Sequence, residues 1–246
     1  MDGWRIVALD TGTSIIEKSI LTYLTDVGRQ QRIPRVMWYI EGPRRIIVDT
    51  SAESQDIAER VIGENLMRNP QQEPLAALNG IGVKPEDIDF VILTHLHWDH
   101  AGNNHLFSNA KFLVQRDELR YAYAPGRYFE RAFLSPQGGH VPPYLKTRFD
   151  LVEGDLALFS GVEILKCPGH TPGSQAVRIR TKHGWVTISG DAVFTYENLE
   201  KGIPPGFHVD VDHAMESMHK IASVSDLVLP SHDYRVFDNK SEPREF

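Results

Sequence analysis

Residues 95–100 have the sequence His-Leu-His-Trp-Asp-His, which places four metal-binding side chains within six residues. Imidazole nitrogens and carboxylate oxygens are both good ligands for zinc and related divalent ions. A catalytic metal ion keeps one coordination position open, so three histidines and one aspartate exceed what one such ion needs. This loop is therefore predicted to supply ligands to two metal ions.

The loop directly follows residues 90–93, a continuous apolar run that is typical of a strand buried on both faces. Three further candidate ligands also follow predicted strands, namely His170, Asp191 and His232. Side chains at the ends of adjacent strands converge easily on one point. The sequence therefore predicts one composite metal site that both halves of the chain build.

The composition is that of a globular protein, since 41% of the 246 residues are hydrophobic and 24% are charged. This length fits a single domain over residues 1–246. The net charge of −7 and the lack of a basic cluster argue against a nucleic-acid partner. No apolar run approaches the roughly 20 residues needed to span a bilayer, so no membrane association is expected.

Cys167 is the only cysteine, so no intrachain disulfide can form and a reducing compartment is favoured. The first residues lack a basic segment followed by an apolar one, and we therefore expect a cytoplasmic protein. We interpret the cysteine as a small buried thiol.

Hydrophobic periodicity predicts several elements around the site. Predicted strands cover residues 4–9, 36–41, 45–48 and 111–115, and predicted helices cover 57–67, 75–78, 117–123 and 212–221. Residues 121–150 are rich in Tyr, Phe, Pro and Gly without a period, which favours a substrate lid. Asp49 follows a predicted strand, and we interpret it as a helix cap, with support of a metal ligand as the alternative.

The order of these elements resembles the metallo-β-lactamase superfamily: His-x-His-x-Asp-His, a Gly-His in a turn, an Asp after a strand and a late His. The resemblance covers roughly residues 33–246, and within the superfamily the chain is most similar to lactonases related to N-acyl-homoserine lactonases. It implies an α/β fold, a four-layer αββα sandwich with a dimetal site at one edge of the two sheets.

The resemblance also implies two Zn²⁺ per chain, held by seven side chains. His95, His97 and His170 would bind the first zinc, Asp99, His100 and His232 the second, and Asp191 would bridge them. By the same resemblance, a hydroxide bridging the metals attacks the ester carbonyl of a small lactone, and Asp99 is the catalytic proton carrier.

One position departs from the family. Homoserine-lactone hydrolases of this type carry Asp-Ala-x-Tyr, with the Tyr hydroxyl on the substrate carbonyl, whereas residues 191–194 here end in Phe194. We predict that Phe194 contacts substrate and that Tyr196 is a candidate for the missing hydroxyl. The change favours another lactone or cyclic ester over an acyl homoserine lactone. Trp98 is interpreted as a packing residue beside the metal loop.

Several other functions use a similar site. A thioester or a β-lactam is the alternative substrate for the same dimetal chemistry. Di-iron oxidoreductases of the superfamily carry Glu where this chain has His97, which favours zinc. The acidic balance argues against a nuclease, and the complete ligand set argues against a binding protein with a degenerate site. We also consider a homodimer as a candidate assembly of this protein.

Overall fold

The structure is a computed structural model that describes residues 3–237. Over this part of the chain it contains twelve strands and six α-helices. The strands are β1 (Arg5–Glu17), β2 (Gln30–Glu41), β3 (Ile46–Val48), β4 (Asn65–Met67), β5 (Phe90–Ile92), β6 (Lys111–Gln115), β7 (Phe149–Val152), β8 (Leu156–Phe159), β9 (Val162–Lys166), β10 (Gln175–Thr181), β11 (Gly184–Ile188) and β12 (Leu227–Leu229). The helices are α1 (Lys18–Leu21), α2 (Gln55–Ile57), α3 (Pro74–Gly80), α4 (Arg116–Tyr123), α5 (Tyr196–Lys201) and α6 (Val211–Val224).

The strands form two sheets. The first has seven strands in the order β4-β1-β2-β3-β5-β6-β7, and the second has five in the order β12-β11-β10-β9-β8. Strands β3, β5, β6 and β7 are parallel, so their carboxyl ends lie at the same edge of the first sheet. In the second sheet β11 and β12 are parallel, and β9 shares their direction because it and β11 are both antiparallel to β10.

Apolar side chains fill three interfaces between four layers. The largest core lies between the sheets and joins residues such as Trp38 and Ile92 of the first to Ile164 and Ile188 of the second. A second core covers the other face of the first sheet and includes Leu78 of α3. A third lies between the second sheet and α6. This arrangement confirms the predicted αββα sandwich.

The prediction of one helix over residues 57–67 is wrong. The chain forms α2, continues as a short π-helix over Ala58–Ile62, and then enters β4. Gly63 ends the helix in the left-handed region at φ 84°, a conformation that glycine adopts without strain. Leu66 then pairs with Ser14 of β1 and buries its side chain. The apolar spacing of this segment therefore serves a turn and an added strand.

The aromatic segment over residues 121–150 is anchored to the domain. Phe133 and Tyr144 are fully buried in the core on the outer face of the first sheet, and the Tyr144 hydroxyl donates to the Phe133 carbonyl at 2.8 Å. Tyr128, Arg131 and Ala132 line the pocket described below. The structure thus puts part of this segment beside the site, and its action as a lid stays a prediction.

No helix within residues 3–237 is long and apolar enough to cross a membrane.

Candidate metal centre

The predicted ligands come together at one end of the sandwich. Residues 95–100 follow β5, His170 follows β9, Asp191 follows β11 and His232 follows β12. Because these strands end at neighbouring edges of the two sheets, their following loops face each other. All seven predicted ligands are buried, with Asp99 the most exposed at 9%.

One group of ligand atoms centres on three imidazoles. His95 Nε2 lies 3.0 Å from His97 Nδ1, and His170 Nε2 lies 3.0 Å from His97 Nδ1 and 3.2 Å from His95 Nε2. Asp191 Oδ2 lies 3.3 Å from His170 Nε2 and 3.6 Å from His95 Nε2. Four potential ligand atoms therefore converge on one small volume.

A second group contains Asp99, His100 and His232. Asp99 Oδ2 lies 3.6 Å from His100 Nε2 and 3.9 Å from His232 Nε2. The other oxygen of Asp191, Oδ1, lies 3.2 Å from each of these two imidazole nitrogens. The Asp191 carboxylate thus stands between the groups and presents one oxygen to each.

The chemistry of these groups fits two divalent cations. Burial, and then the charges of His100 and His97, holds the pKa of His95 well below its usual value, so its ring is neutral and its nitrogen is an electron-pair donor. Three imidazole nitrogens that lie 3.0–3.2 Å apart can all bind one cation placed between them. His100 Nε2 and Asp191 Oδ1 are buried 3.2 Å apart but form no well-aligned hydrogen bond among residues 3–237, an arrangement that suits ligands of a metal ion.

Backbone carbonyls fix the ring orientation of two histidines. The Nδ1 atom of His170 lies 2.7 Å from the Phe207 carbonyl, and that of His232 lies 3.1 Å from the Pro34 carbonyl. Since a carbonyl only accepts, each Nδ1 must carry the proton and each Nε2 keeps its lone pair for the centre.

Asp49 supports the centre from behind, and its interpretation as a helix cap is wrong. Its carboxylate accepts from the Thr94 amide at 2.7 Å and from the Thr94 hydroxyl at 2.8 Å, and it lies 2.7 Å from His100 Nδ1. The contact with His100 agrees with the alternative role, which is support of a predicted metal ligand. A carboxylate in this position orients the ring and raises its basicity as a ligand.

Glu118 joins the two ligand-bearing loops, a role that sequence reasoning missed. Its carboxylate accepts from the Leu96 amide at 2.9 Å, from the Thr171 hydroxyl at 2.5 Å and from the Gly173 amide. Burial raises the pKa of Glu118 to about 7, against the lowering effect of these hydrogen bonds. The only hint in the sequence is its helical spacing to the apolar Ala122, with which it forms the buried face of α4.

A pocket of about 300 Å³ opens onto the centre. It contacts His97, Asp99, His170, Asp191 and His232. Most of its remaining wall is apolar and includes Ile16, Ile33, Ile62, Trp98, Phe194 and Phe207. A small organic molecule with an apolar part therefore fits beside the ligand groups.

The two predicted substrate contacts differ in position. Phe194 lines the pocket, and its ring centre lies 5.4 Å from that of His170 and 5.2 Å from that of His232. Tyr196 lies outside this pocket, because its ring packs against the core between the sheets and under the Arg235 guanidinium. The hypothesis that Tyr196 replaces the missing hydroxyl is therefore not supported. Trp98 is 3% exposed and packs beside the metal loop, as the sequence suggested, and it also lines the pocket.

Arg35 and Glu64 add charge to the pocket wall, and sequence reasoning assigned neither a function. The Arg35 guanidinium donates to the carboxylates of Asp99 and Glu64. Burial lowers the pKa of Arg35, but the nearby carboxylates of Asp99, Glu64 and Asp191 outweigh this effect and raise the pKa overall. A detectable signal was an arginine inside the apolar run of residues 33–40 in β2.

Cys167 is fully buried three residues before a predicted ligand. Burial raises the pKa of its thiol to about 12, so the thiolate that reacts with alkylating agents is scarce. We expect the folded protein to resist iodoacetamide at neutral pH and the urea-unfolded protein to take up one equivalent, as measured by intact mass. Alkylation of the folded protein at the rate of a free thiol would show that the structure around Cys167 opens to solvent.

The fold and the ligand arrangement define a metallo-hydrolase class, and the chain belongs to the metallo-β-lactamase superfamily. The sequence profile described as "Metallo-beta-lactamase superfamily" matches residues 33–232. The chain is 31% identical over 234 residues to an N-acyl homoserine lactonase of Bacillus cereus, an alignment that covers 89% of this chain and 88% of that protein. It is 34% identical over 194 residues to an N-acyl homoserine lactonase of a Bacillus species, covering 75% and 72% of the two chains.

Solved structures share the fold. An N-acyl homoserine lactone hydrolase with the product N-hexanoyl-L-homoserine at its catalytic metal centre superposes with a TM-score of 0.82 at 24% identity, over 100% of both chains. A dizinc quorum-quenching lactonase in complex with a product superposes with a TM-score of 0.71 at 16% identity, over 95% of this chain and 88% of that one.

Proposed function

We propose that this protein is a metal-dependent lactonase that hydrolyses the ester bond of a lactone ring. The observation that carries the proposal is the Asp191 carboxylate, placed between two groups of ligands at the base of an apolar pocket. Relatives named as N-acyl homoserine lactonases support it and make N-acyl homoserine lactones the first substrates to test. Thioesters and β-lactams remain the alternative substrates.

We further propose two Zn²⁺ per chain. His95, His97 and His170 would hold one ion, Asp99, His100 and His232 would hold the other, and Asp191 would contact both. When bound, such ions act as Lewis acids and lower the pKa of water. Histidine at position 97, where di-iron relatives have Glu, favours zinc, and the single cysteine is compatible with a cytoplasmic location.

The chain's own residues would position the lactone and transfer a proton from the attacking water to the leaving oxygen. Hydrolysis adds water to the carbonyl carbon, breaks the ring C–O bond and leaves a carboxylic acid, which releases its proton to solvent, and a hydroxyl group. Asp99 lines the pocket, so its carboxylate can accept a proton from the attacking water and return it to the departing alkoxide oxygen. Protonation matters because an unprotonated alkoxide, still tethered to the product, would close the ring again. The apolar wall around Ile33 and Phe207 would hold the rest of the substrate away from bulk water.

A hydrolysis screen of the zinc-loaded protein tests this proposal. We expect acid release from acyl homoserine lactones or other aliphatic lactones, and two zinc ions per chain by elemental mass spectrometry. Aromatic lactones, thioesters and β-lactams form the comparison set. Turnover of thioesters or β-lactams alone would overturn the lactonase proposal, and full activity with well under one metal ion per chain would overturn the dimetal proposal.

A further inference from the structure

Arg35 is a buried cation on the wall of the candidate active-site pocket. It is 3% exposed and comes from the middle of β2, yet its side chain reaches the pocket. Its Nε atom donates to the Ser14 hydroxyl at 3.1 Å, and its two terminal nitrogens donate to Asp99 and Glu64. The guanidinium also lies 5.2 Å from the ring centre of Trp98. These contacts fix the orientation of the guanidinium before any substrate arrives.

The hydrogen-bonding capacity of Arg35 is not exhausted by these contacts. A guanidinium carries five N–H groups, and three of them have acceptors among residues 3–237, namely Ser14, Asp99 and Glu64. Each terminal nitrogen therefore retains one N–H without an acceptor in the described protein. Since Arg35 lines the pocket, a substrate oxygen there can accept from it.

The same pocket lacks one hydrogen-bond donor that the resemblance of this chain to homoserine-lactone hydrolases would lead us to expect. Phe194 stands where those enzymes carry a tyrosine, and its ring offers no hydroxyl. Tyr196 does not reach the pocket. Arg35 is the buried charged donor of this wall, and it is not one of the predicted ligands.

We propose that Arg35 binds the substrate by donating a hydrogen bond to a carbonyl oxygen, in place of the hydroxyl that Phe194 lacks. This inference rests on the proposed lactonase function. A charged donor forms a hydrogen bond roughly twice as strong as a neutral one, and a donor held by three protein contacts needs no reorganisation on binding. Glu64 is a second carboxylate on the same guanidinium, so Arg35 keeps one anchor when Asp99 is engaged elsewhere.

A double-mutant cycle between Arg35→Met and Phe194→Tyr tests this role. We expect Arg35→Met to lower kcat/KM about 100-fold, within the range for loss of one preorganised donor. Phe194→Tyr should raise kcat/KM at least about tenfold in the Arg35→Met background and by a smaller factor in the wild-type background, since only the former lacks the Arg35 donor. Affinity for the product N-hexanoyl-L-homoserine, measured by calorimetry, should follow the same pattern.

Controls separate substrate binding from support of the metal ligand Asp99. Arg35→Lys keeps the positive charge that Asp99 and Glu64 need, and should retain both metal ions while losing most of the donor geometry. Arg178→Met is a matched control, because Arg178 also stacks on a tryptophan and pairs with a glutamate, but outside the pocket. It should leave kcat/KM unchanged.

Two outcomes would overturn the role of Arg35. One is that the two substitutions act independently, so that the change in kcat/KM and in product affinity for the double variant equals the product of the changes in the two single variants. The other is that activity in the Arg35 variants falls only in proportion to lost metal, which would make Arg35 a support for Asp99. The two proposals are tested by different measurements. The wild-type rate tests the lactonase proposal, whereas product affinity, which needs no turnover, tests the role of Arg35.

Discussion

Asp191→Asn is expected to remove bound metal and to slow lactone hydrolysis about 1,000-fold, equivalent to about 4 kcal/mol of activation free energy. Asp191 Oδ2 faces the group around His170, and Oδ1 faces the group around His232. An asparagine keeps the shape but supplies one oxygen without charge, and its NH₂ group points at a ligand site where a cation should lie. Metal binding at both groups of predicted ligands is therefore expected to weaken together.

The measurement for Asp191 is metal content after dialysis against a weak chelator, combined with the rate of acid release. Asp56→Asn is a suitable control, because Asp56 lies on the surface and pairs with the exposed Arg60 at 2.8 Å. We expect this variant to keep wild-type metal content and rate. An Asp191→Asn protein with two tightly held ions would contradict the bridging position of the carboxylate.

The candidate ligands were predictable because they follow strong local patterns. The motif at residues 95–100 is dense, and β5 before it is an apolar run that fixes where the loop must begin. His170, Asp191 and His232 share the same context at strand ends, and the direction of the strands brings these ends together. Local pattern and sheet topology therefore agree at this site.

Residues that act through long-range contacts were not predictable in the same way. Arg35 and Glu64 are 29 positions apart, and nothing in either segment shows that they meet beside Asp99. Glu118 resembles any charged residue of a short amphipathic helix. Its burial depends on the close approach of Gly173, where an added Cβ would lie 2.1 Å from the Glu118 amide nitrogen. Such contacts are set by packing, which periodicity does not describe.

Glu118→Ala is expected to destabilise the protein by about 3 kcal/mol and to weaken zinc binding about 10- to 100-fold. The alanine leaves the amides of Leu96 and Gly173 without their acceptor, and the Thr171 hydroxyl loses one of its partners. The loops that carry His95 and His170 then lose their common tie. Urea unfolding at about pH 6 and zinc competition with a chromophoric chelator measure the two effects.

The neighbouring Asp117→Asn is the matched control for Glu118, since Asp117 lies on the same helix and pairs with Lys166 at the surface. We expect this variant to change neither stability nor zinc affinity appreciably. A Glu118→Ala protein that lost stability but bound zinc normally would restrict Glu118 to the fold and exclude it from the metal centre.

The raised pKa of Glu118 also predicts how stability depends on pH. Its pKa is about 7 in the folded protein and 4.5 in the unfolded chain, so the folded state binds the proton more tightly. The resulting stabilisation is fully present below pH 4.5 and is lost as pH rises through 7, a change of about 3 kcal/mol. Glu118→Gln cannot titrate, so the stability of the wild type relative to this variant should fall over that interval. Because the other buried groups titrate in both proteins, their contributions cancel in the difference, and a difference independent of pH would show that Glu118 stays ionised in the fold.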